Sequence, residues 1–469
     1  MTSTKEIPST ILIVGSGTFG LSTAYSLTQN PLFASSKITL IDRLPFPASD
    51  AASIDTSRII RADYADIAYS SLAFEAQEKW RNEWWGDGIY HETGLAVVVN
   101  SGLSDKANNG ELGREYMRKS MENVLKLGLK TGTKSNGGDV EELQTTTDIR
   151  RVFNDDSPGA AAKAQQERPE QKTSLAGDFG YVNWRSGWAD AEKAMRALRA
   201  KLEATNRVDF VHGTVKRLRF SSSAVEGVQL ADGASHSADL VMLATGAWTP
   251  ALIDTRGVCS ATGQCLAYLP IDAREQHALG DCPTLLNESS GLFMIPPQGN
   301  ILKVARHGYG YINPTTIPHP EKDGETITVS LPRTHITHPG QGLPKEGLDA
   351  CRGFLHDVLP SFKGRQFTNS RICWYTDTAK GDWILSYHPK YKNLFVATGG
   401  SGHAYKFLPV VGDKIVQCVL GKTPDLFKGK WEWPERAEED QIYTTDWRGG
   451  MKGMILEDEI AKSRKESKL

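Results

Sequence analysis

The sequence predicts an α/β protein with a Rossmann-like nucleotide-binding domain built from separated segments and a second, α+β domain with a mixed sheet. A strand, a glycine-rich turn and a helix follow one another near the N-terminus. Two later apolar runs also end in glycine, at Gly246 and at Gly399. Since such junctions belong at the carboxyl ends of parallel strands, three of them far apart in sequence indicate one discontinuous domain with another inserted.

Composition excludes several classes of protein. The 469 residues include 54 Lys and Arg against 56 Asp and Glu, a formal charge of −2, without the basic excess expected for a nucleic-acid partner. No apolar stretch approaches the roughly 18 residues that a membrane-spanning helix needs, so we expect no such helix. The six cysteines contain no C-x-x-C pair, so we expect neither a metal site nor a dithiol.

The first element is the strand TILIV, which leads into the motif GSGTFG at residues 15–20. In this G-x-G-x-x-G pattern Gly15 permits a tight turn, Gly17 lets the backbone approach a pyrophosphate, and Gly20 allows close helix packing. Asp42 ends the next strand and can accept hydrogen bonds from a ribose. The predicted dinucleotide contacts also include Thr18, Phe19 and Arg43. The motif leaves NAD and FAD open, and the discontinuous domain favours FAD.

The elements that follow alternate along the chain. Helical spacing covers residues 72–85, 116–129 and 189–202, and strand patterns cover 94–99, 208–220, 224–230, 238–248 and 393–407. We assign residues 1–90, 180–258 and 370–435 to the dinucleotide domain. The second domain takes residues 91–179 and 259–369, with a polar insert at about 101–175, and residues 436–469 form a C-terminal tail.

Four motifs carry a resemblance to a known family: DTSRIIR (55–61), GNILKVARH (299–307), RICWYTDT (371–378) and GGSGHAYKF (399–407). Together the chain resembles the FAD-dependent amine oxidases related to monomeric sarcosine oxidase, which include pipecolate and saccharopine oxidases and the fungal amadoriases. The similarity covers most of the chain apart from the polar insert and the tail. It implies a glutathione-reductase-like fold of the D-amino-acid-oxidase (DAO) type, and FAD as cofactor.

In the first motif the resemblance places Ser57 and Arg58 beside the flavin ring, and Arg61 on the substrate carboxylate. A planar guanidinium suits a carboxylate, and a cation near the ring stabilises the anionic reduced flavin. The alternative is that Arg58 and Arg61 share a helical surface and form ion pairs with Asp55 or Asp63.

In the third motif the resemblance implies that Cys373 is bonded to the flavin, with Arg371 near enough to lower the pKa of the thiol. Trp374 is then a wall of the substrate pocket. The alternative, a small buried hydrophobe, is retained for the other five cysteines.

In the fourth motif the resemblance places Gly400, Gly402 and His403 beside the cofactor. Lys406 is then a second carboxylate-binding cation that also approaches the flavin. The junction at Gly246 and the nearby Trp248 contribute further cofactor contacts.

In the motif at 299–307 the resemblance implies that Lys303 lies over flavin N5 and activates O2. Four residues along a strand return to the same face, so His307 belongs in the same pocket, where Tyr309 and Tyr311 are further walls. A lysine at a strand edge is the alternative.

The resemblance implies oxidation of a carbon–nitrogen bond to an imine, with O2 reduced to H2O2. We expect a secondary amine or N-substituted amino acid, whether N-methylated, pipecolate-like or saccharopine-like. Amadoriases commonly carry aspartate where this chain has Gly400, which counts against a fructosyl amino acid. An NAD-dependent dehydrogenase and a non-catalytic flavoprotein module are the alternatives of other classes.

The last three residues, Ser467, Lys468 and Leu469, match the tripeptide that the peroxisomal import receptor reads. We therefore expect a peroxisomal protein, which suits a source of H2O2. We expect a monomer, and the absence of a long heptad pattern excludes assembly through a coiled coil.

Overall fold

The computed structural model describes residues 6–82, 85–100, 109–152, 177–444 and 448–466. The predicted import tripeptide, Ser467 to Leu469, lies outside the described residues, as do residues 101–108 and 153–176 of the predicted insert.

A six-stranded sheet is built from widely separated segments. Its strands are β1 (Thr10–Val14), β2 (Lys37–Asp42), β9 (Val208–His212), β13 (Leu240–Leu243), β22 (Ile384–Tyr387) and β23 (Leu394–Thr398), in the order β22-β23-β13-β1-β2-β9. All neighbours are parallel except β22, which pairs antiparallel with β23. The three strands predicted to run into glycine, β1, β13 and β23, are adjacent, so their glycine junctions meet at one edge of the sheet. The α/β fold class is confirmed.

Four helices pack with this sheet into one hydrophobic core: α1 (Thr18–Gln29), α2 (Ile67–Trp80), α5 (Ala191–Ala204) and α8 (Val411–Val419). Helices α1 and α8 touch closely, since a Cβ at Gly412 would lie 2.1 Å from the carbonyl oxygen of Ser22. The prediction that α2 continues to Trp85 is wrong. The ring of Trp85 stacks on Trp80 at 4.4 Å, so its apolar spacing reflects packing beyond the end of the helix.

A second, ten-stranded mixed sheet lies beside the first. Its strands are β5 (Leu95–Val99), β6 (Val140–Leu143), β7 (Phe179–Asn183), β14 (Cys259–Pro270), β15 (Thr284–Asn287), β16 (Leu292–Gln298), β17 (Ile301–Arg306), β18 (Tyr311–Ile312), β21 (Asn369–Thr378) and β24 (Met454–Ile455). Helix α7 (Lys345–Val358) buries Cys351, Phe354 and Leu355 in the core of this sheet. Strand β14 pairs with both β17 and β21, which brings two of the four motifs together.

Within the ranges that the structure describes, the remaining elements are three small sheets and four α-helices. The sheets are β3 (Arg58–Ile60), β8 (Gly187–Ala189) and β4 (Tyr90–His91); β10 (Val215–Ser221), β11 (Ala224–Leu230) and β12 (Ser235–Ser237); and β19 (Pro314–Pro318) with β20 (Thr326–Ser330). The helices are α3 (Asn109–Lys126), α4 (Thr146–Val152), α6 (Ala273–Gly280) and α9 (Leu456–Glu466). Because Arg58 begins β3 and Arg61 follows it, the alternative that they share a helical surface is wrong, although Arg58 does form the ion pair with Asp55 that this alternative named.

Within the described ranges, none of the helices has the length and apolar character needed to cross a membrane. The same residues contain no cluster of three metal-ligating side chains.

Candidate active site

One cavity runs along the carboxyl ends of β1, β2, β13 and β23 and continues to β17 and β21 of the second sheet. Ligands of open α/β sheets bind at this edge. Its wall brings together all of the predicted site residues except Gly20, Ser57, Tyr309 and Tyr311. The cavity thus joins positions that are up to 391 residues apart, from Gly15 to Lys406.

The glycine motif shapes one end of the cavity. Gly15 has a positive φ of 101°, and a Cβ there would lie 2.5 Å from the carbonyl oxygen of Ala244, so only glycine fits. A Cβ at Gly20 would lie 1.8 Å from the carbonyl oxygen of Gly15, which explains why Gly20 packs behind the cavity wall. Asp42 Oδ2 accepts hydrogen bonds from the backbone and hydroxyl of Ser16, at 2.7 and 2.6 Å. The carboxylate therefore fixes the turn that faces the cavity.

Arg43 and Trp248 form a wall near this end. The guanidinium of Arg43 lies 4.0 Å from the centre of the Trp248 ring and forms an ion pair with the buried Asp50. Asp50 also accepts a hydrogen bond from the Thr334 hydroxyl at 2.9 Å. This arrangement presents a rigid, flat surface suited to stacking.

A buried charge cluster lies where the two sheets meet. Lys303 Nζ is 2.7 Å from Asp55 Oδ2 and donates a second hydrogen bond to the Ser57 carbonyl oxygen at 2.7 Å. Arg58 pairs with the same carboxylate. Tyr268 faces Lys303 across the β14–β17 pair, and its hydroxyl donates to Asp55 Oδ1 at 2.9 Å. Ser57 thus contacts the cluster through its backbone carbonyl, and it does not line the cavity.

The electrostatics of this cluster follow from burial and pairing. Burial lowers the pKa of Lys303 to about 8, although Asp55 acts to raise it. Burial also opposes ionisation of Asp55, but Lys303 and Arg58 outweigh it and hold the pKa of that carboxyl well below its usual value. The cluster therefore holds its ammonium at neutral pH.

Cys373 lies beside this cluster on β21. Its sulfur is buried in the cavity wall, 3.8 Å from Arg58 Nη2. Alternation along the strand places Arg371, Cys373 and Tyr375 on one face. The Arg371 guanidinium donates to the carbonyl oxygens of Ala51 and Ile54, at 3.1 and 2.9 Å, and so fixes the segment that leads to Asp55.

Two further cations lie at the other end of the cavity. The buried Arg61 guanidinium lies over Tyr64 and Tyr116, 4.9 and 5.8 Å from the ring centres. Lys406 Nζ donates to the Tyr64 hydroxyl at 2.8 Å and to the His403 carbonyl oxygen at 2.9 Å. Burial, reinforced by Arg61, lowers the pKa of Lys406 well below its usual value. In the described part of the chain no carboxylate lies within ion-pair distance of either cation.

Two histidines complete this end of the cavity. His403 Nδ1 lies 3.2 Å from the Tyr64 hydroxyl and its Nε2 lies 2.9 Å from the Gly381 carbonyl oxygen, so Nε2 carries the proton. His307 Nδ1 lies 3.5 Å from the hydroxyl of Tyr375. Burial holds the pKa of both histidines well below the usual value, so both rings are neutral at physiological pH.

Most of the chain matches the model of a known protein family. The model described as "FAD dependent oxidoreductase" matches residues 10–418. The chain belongs to this family. The resemblance inferred from the four motifs is confirmed, and the alternative of an NAD-dependent dehydrogenase falls away. The protein is an FAD-dependent amine oxidase.

Individual relatives are similar to this oxidase over nearly their whole length. The amino acid oxidase imqH of Aspergillus flavus is 35% identical over 461 residues, covering 88% of this chain and 93% of the relative. L-saccharopine oxidase of Schizosaccharomyces pombe is 29% identical over 452 residues, covering 94% of this chain and 95% of the relative. A solved structure of a modified fructosyl peptide oxidase from Aspergillus nidulans superposes with a TM-score of 0.77 at 26% identity, covering 98% of this chain and 99% of that one.

The cavity of this oxidase fits the cofactor that the family binds. Helix α1 begins at Gly17 without a side-chain cap, and the nearest atom to a Cβ there would be Ser53 Oγ, at 3.8 Å. Free backbone N–H groups at this helix end suit a pyrophosphate. The cationic cluster around Lys303, with Cys373 beside it, lines another part of the same cavity.

Two predicted pocket walls lie elsewhere. The Tyr311 hydroxyl donates to Glu346 at 2.8 Å and its ring is fully buried in the core of the second sheet. The backbone N–H of Tyr309 donates to the Gly449 carbonyl oxygen at 3.0 Å. Neither tyrosine lines the cavity. Tyr311 on β18 packs into the core of the second sheet, and Tyr309 precedes this strand.

The structure also reveals residues that sequence reasoning did not assign to the site. Tyr375, which lines the cavity, contacts His307, and Tyr64, which does not line it, contacts His403. Arg448, in the predicted tail, is buried; its Nη2 donates to the Ser401 carbonyl oxygen at 3.0 Å, and its charge contributes to the low pKa of His307. Tyr64 lies three residues after Arg61 and could have been noticed, whereas no sequence signal marks Arg448.

Proposed function

We propose that the protein oxidises the carbon–nitrogen bond of an N-substituted amino acid to an imine and reduces O2 to H2O2. The observation that carries this proposal is the pair of buried basic side chains, Arg61 and Lys406, which share one end of the cavity. Among the described residues, no carboxylate lies within ion-pair distance of either. A substrate carboxylate would supply the missing negative charge. On the proposed division of the chain, residues 1–90, 180–258 and 370–435 hold the dinucleotide, and residues 91–179 and 259–369 wall the substrate pocket.

Each group of side chains has a separate task. Bound FAD would supply the two-electron redox chemistry that links oxidation of the substrate to reduction of O2. Arg61 and Lys406 orient the substrate through its carboxylate, so that the carbon to be oxidised has a fixed position. Lys303 and Arg58 keep positive charge where negative charge develops, and they are fixed in place by Asp55. The neutral His307 and Tyr375 present polar atoms to the substrate without adding charge.

The second candidate substrate is a fructosyl amino acid, which the likeness to the solved fructosyl peptide oxidase favours. Against it stands Gly400, where amadoriases commonly have aspartate. A Cβ at this position would lie 3.3 Å from the Cβ of Ala404, a tight contact, and 3.8 Å from the Phe19 ring, an ordinary one, so an aspartate would crowd Ala404. We therefore place N-methyl, pipecolate-like and saccharopine-like amino acids first.

A panel of amines tests this proposal. The purified enzyme is mixed with sarcosine, pipecolate, saccharopine, N-methylated aromatic amino acids and fructosyl-valine, and H2O2 release is measured. We expect turnover with one or more of the first four and none with their esters. Turnover of fructosyl-valine alone would establish the second candidate, and H2O2 from none of them would contradict both.

We propose that Cys373 holds the flavin covalently, on the strength of its buried place in the cavity wall beside Arg58. Cys373→Ala should then leave all of the yellow colour in the supernatant after acid precipitation, whereas the wild-type pellet stays yellow. The matched control is Cys259→Ala, which removes another buried cysteine outside the cavity wall. A yellow Cys373→Ala pellet would refute the linkage.

We propose that Ser467, Lys468 and Leu469 direct the protein to the peroxisome, where H2O2 can be removed. Deleting these three residues should change the location of a fluorescent fusion and leave the kinetics of the purified enzyme unaltered. A fusion that still reaches peroxisomes after the deletion would contradict this role. We also propose that the enzyme acts as a monomer, which its sedimentation mass tests.

A further inference from the structure

The carboxylate of Asp55 is fully committed to the charge cluster. Its Oδ2 contacts Lys303 Nζ at 2.7 Å and pairs with Arg58. Its Oδ1 accepts from the Tyr268 hydroxyl at 2.9 Å and from the backbone N–H of Thr56 at 2.8 Å. The side chains of Asp55 and Lys303 are 1% and 3% exposed, so neither charge is stabilised by bulk water.

Asp55 is also the counter-charge of the cluster. Among the described residues, no other carboxylate lies within ion-pair distance of Lys303 or Arg58. Without Asp55, the cluster would hold Lys303, Arg58 and Arg371 with no negative partner. A guanidinium does not lose its proton in proteins, whereas a buried lysine readily does. Lys303 would therefore be the group that becomes neutral.

We propose that Asp55 is a positioning residue that keeps Lys303 charged and directed into the cavity while O2 reacts. The inference rests on the proposed function, because it deepens the role given there to Lys303. Its location supports this role: Asp55 reaches Lys303 from the loop before β3, Tyr268 reaches Asp55 from β14, and the β14–β17 register places Tyr268 opposite Lys303.

The charges around Lys303 define the expected shift. Burial lowers the pKa of Lys303 to about 8. Of the charged groups around it, Asp55 and Cys373 act to raise this pKa and Arg58 acts to lower it. Arg371 and Tyr268 act on Asp55 instead. Removing an opposite charge at this distance shifts a pKa by about 1–3 units. Asp55→Asn should therefore move the loss of the Lys303 proton from about pH 8 to a value at least about one unit lower.

The test separates O2 chemistry from substrate chemistry. The holoenzyme is photoreduced without oxygen or substrate, then mixed with O2, and flavin reoxidation is followed from about pH 6 to pH 10. Asp55→Asn should approach the slow rate of Lys303→Met above pH 8 and recover as the pH falls. Lys303→Met should stay slow at every pH, because it has no proton to regain.

Two controls and a second readout keep the test decisive. Tyr268→Phe retains every charge, and Asp50→Asn removes a buried carboxylate that pairs with Arg43 instead; neither should move the pH midpoint. Lysine labelled with carbon-13 at Cε reports the charge of Lys303 directly, with its signal assigned by its loss in Lys303→Met.

The outcomes distinguish this inference from the proposed function. An unchanged pH midpoint in Asp55→Asn, or slow reoxidation at all pH values, would overturn the role of Asp55. If Asp55→Asn does not fold, a neutral Lys303 at pH 7 in the labelled wild-type protein overturns it equally. Fast reoxidation by Lys303→Met would instead remove Lys303 from the proposed function, while the labelled signal would still test Asp55.

Discussion

Lys303→Met should slow the reaction of the reduced enzyme with O2 by about 10²–10³-fold, the loss found when one preorganised charge or donor is removed from a buried site. The first electron transferred to O2 creates negative charge, and Lys303 is the ammonium held in the cavity wall by Asp55 and the Ser57 carbonyl oxygen. Reduction by substrate develops its negative charge on the cofactor and not on O2, so we expect that half-reaction to slow much less. Stopped-flow mixing of the two half-reactions measures each separately.

Lys406→Met is the matched control, because it removes the other buried lysine of the same cavity. It should impair substrate binding and leave the O2 reaction of photoreduced enzyme nearly unchanged. Equal losses of both half-reactions in Lys303→Met would argue against its assigned role.

The wild-type pH profile follows with a definite sign. The ammonium of Lys303 is the charged form, and it predominates below its pKa of about 8. The rate of reoxidation should therefore be highest below pH 8 and fall as the pH rises through that value. A rate that rises with pH across this range would contradict the assignment.

Arg61→Ala and Lys406→Ala should each raise the KM for the amino acid by about 10- to 150-fold. A hydrogen bond to a charged group contributes about 1.5–3 kcal/mol, and about 1.4 kcal/mol corresponds to a factor of ten. Arg61→Lys should raise the KM by a smaller factor than Arg61→Ala, since lysine keeps the charge but lacks the planar pair of donors. Steady-state kinetics with the best substrate of the panel measures the change.

A substrate analogue without the carboxylate is the control for this clamp. The wild type should bind it more weakly than either variant binds the amino acid, because the analogue loses both partners at once. The variants should bind the analogue no more weakly than the wild type does, because the interacting pair is already broken. Unchanged KM values in both variants, or the same loss with the analogue, would remove Arg61 and Lys406 from the carboxylate site.

Local patterns explain what could be predicted from the sequence. The runs that end at Gly15, Gly246 and Gly399 are short and apolar, and each reports its own strand and turn. Their adjacency in one sheet followed because parallel strands present the same ends to a ligand. The place of Lys303 and His307 in one cavity followed from strand alternation in the same way.

Contacts between distant segments explain what could not be predicted from the sequence. The ion pair of Asp55 with Lys303 joins positions 248 residues apart, and only the β14–β17 register shows why Tyr268 joins them. Tyr311 has the spacing of a pocket residue, yet its hydroxyl bonds to Glu346, which a sequence pattern does not reveal. Arg448 enters the site region from a segment that reads as a polar tail.

The most direct test of the account is an anaerobic titration of the purified yellow protein with the amino acid that the panel selects. The account predicts that one equivalent of substrate bleaches the visible flavin band, and that admitting O2 restores the band with one equivalent of H2O2. A colourless protein, or a flavin band that no N-substituted amino acid bleaches, would contradict it.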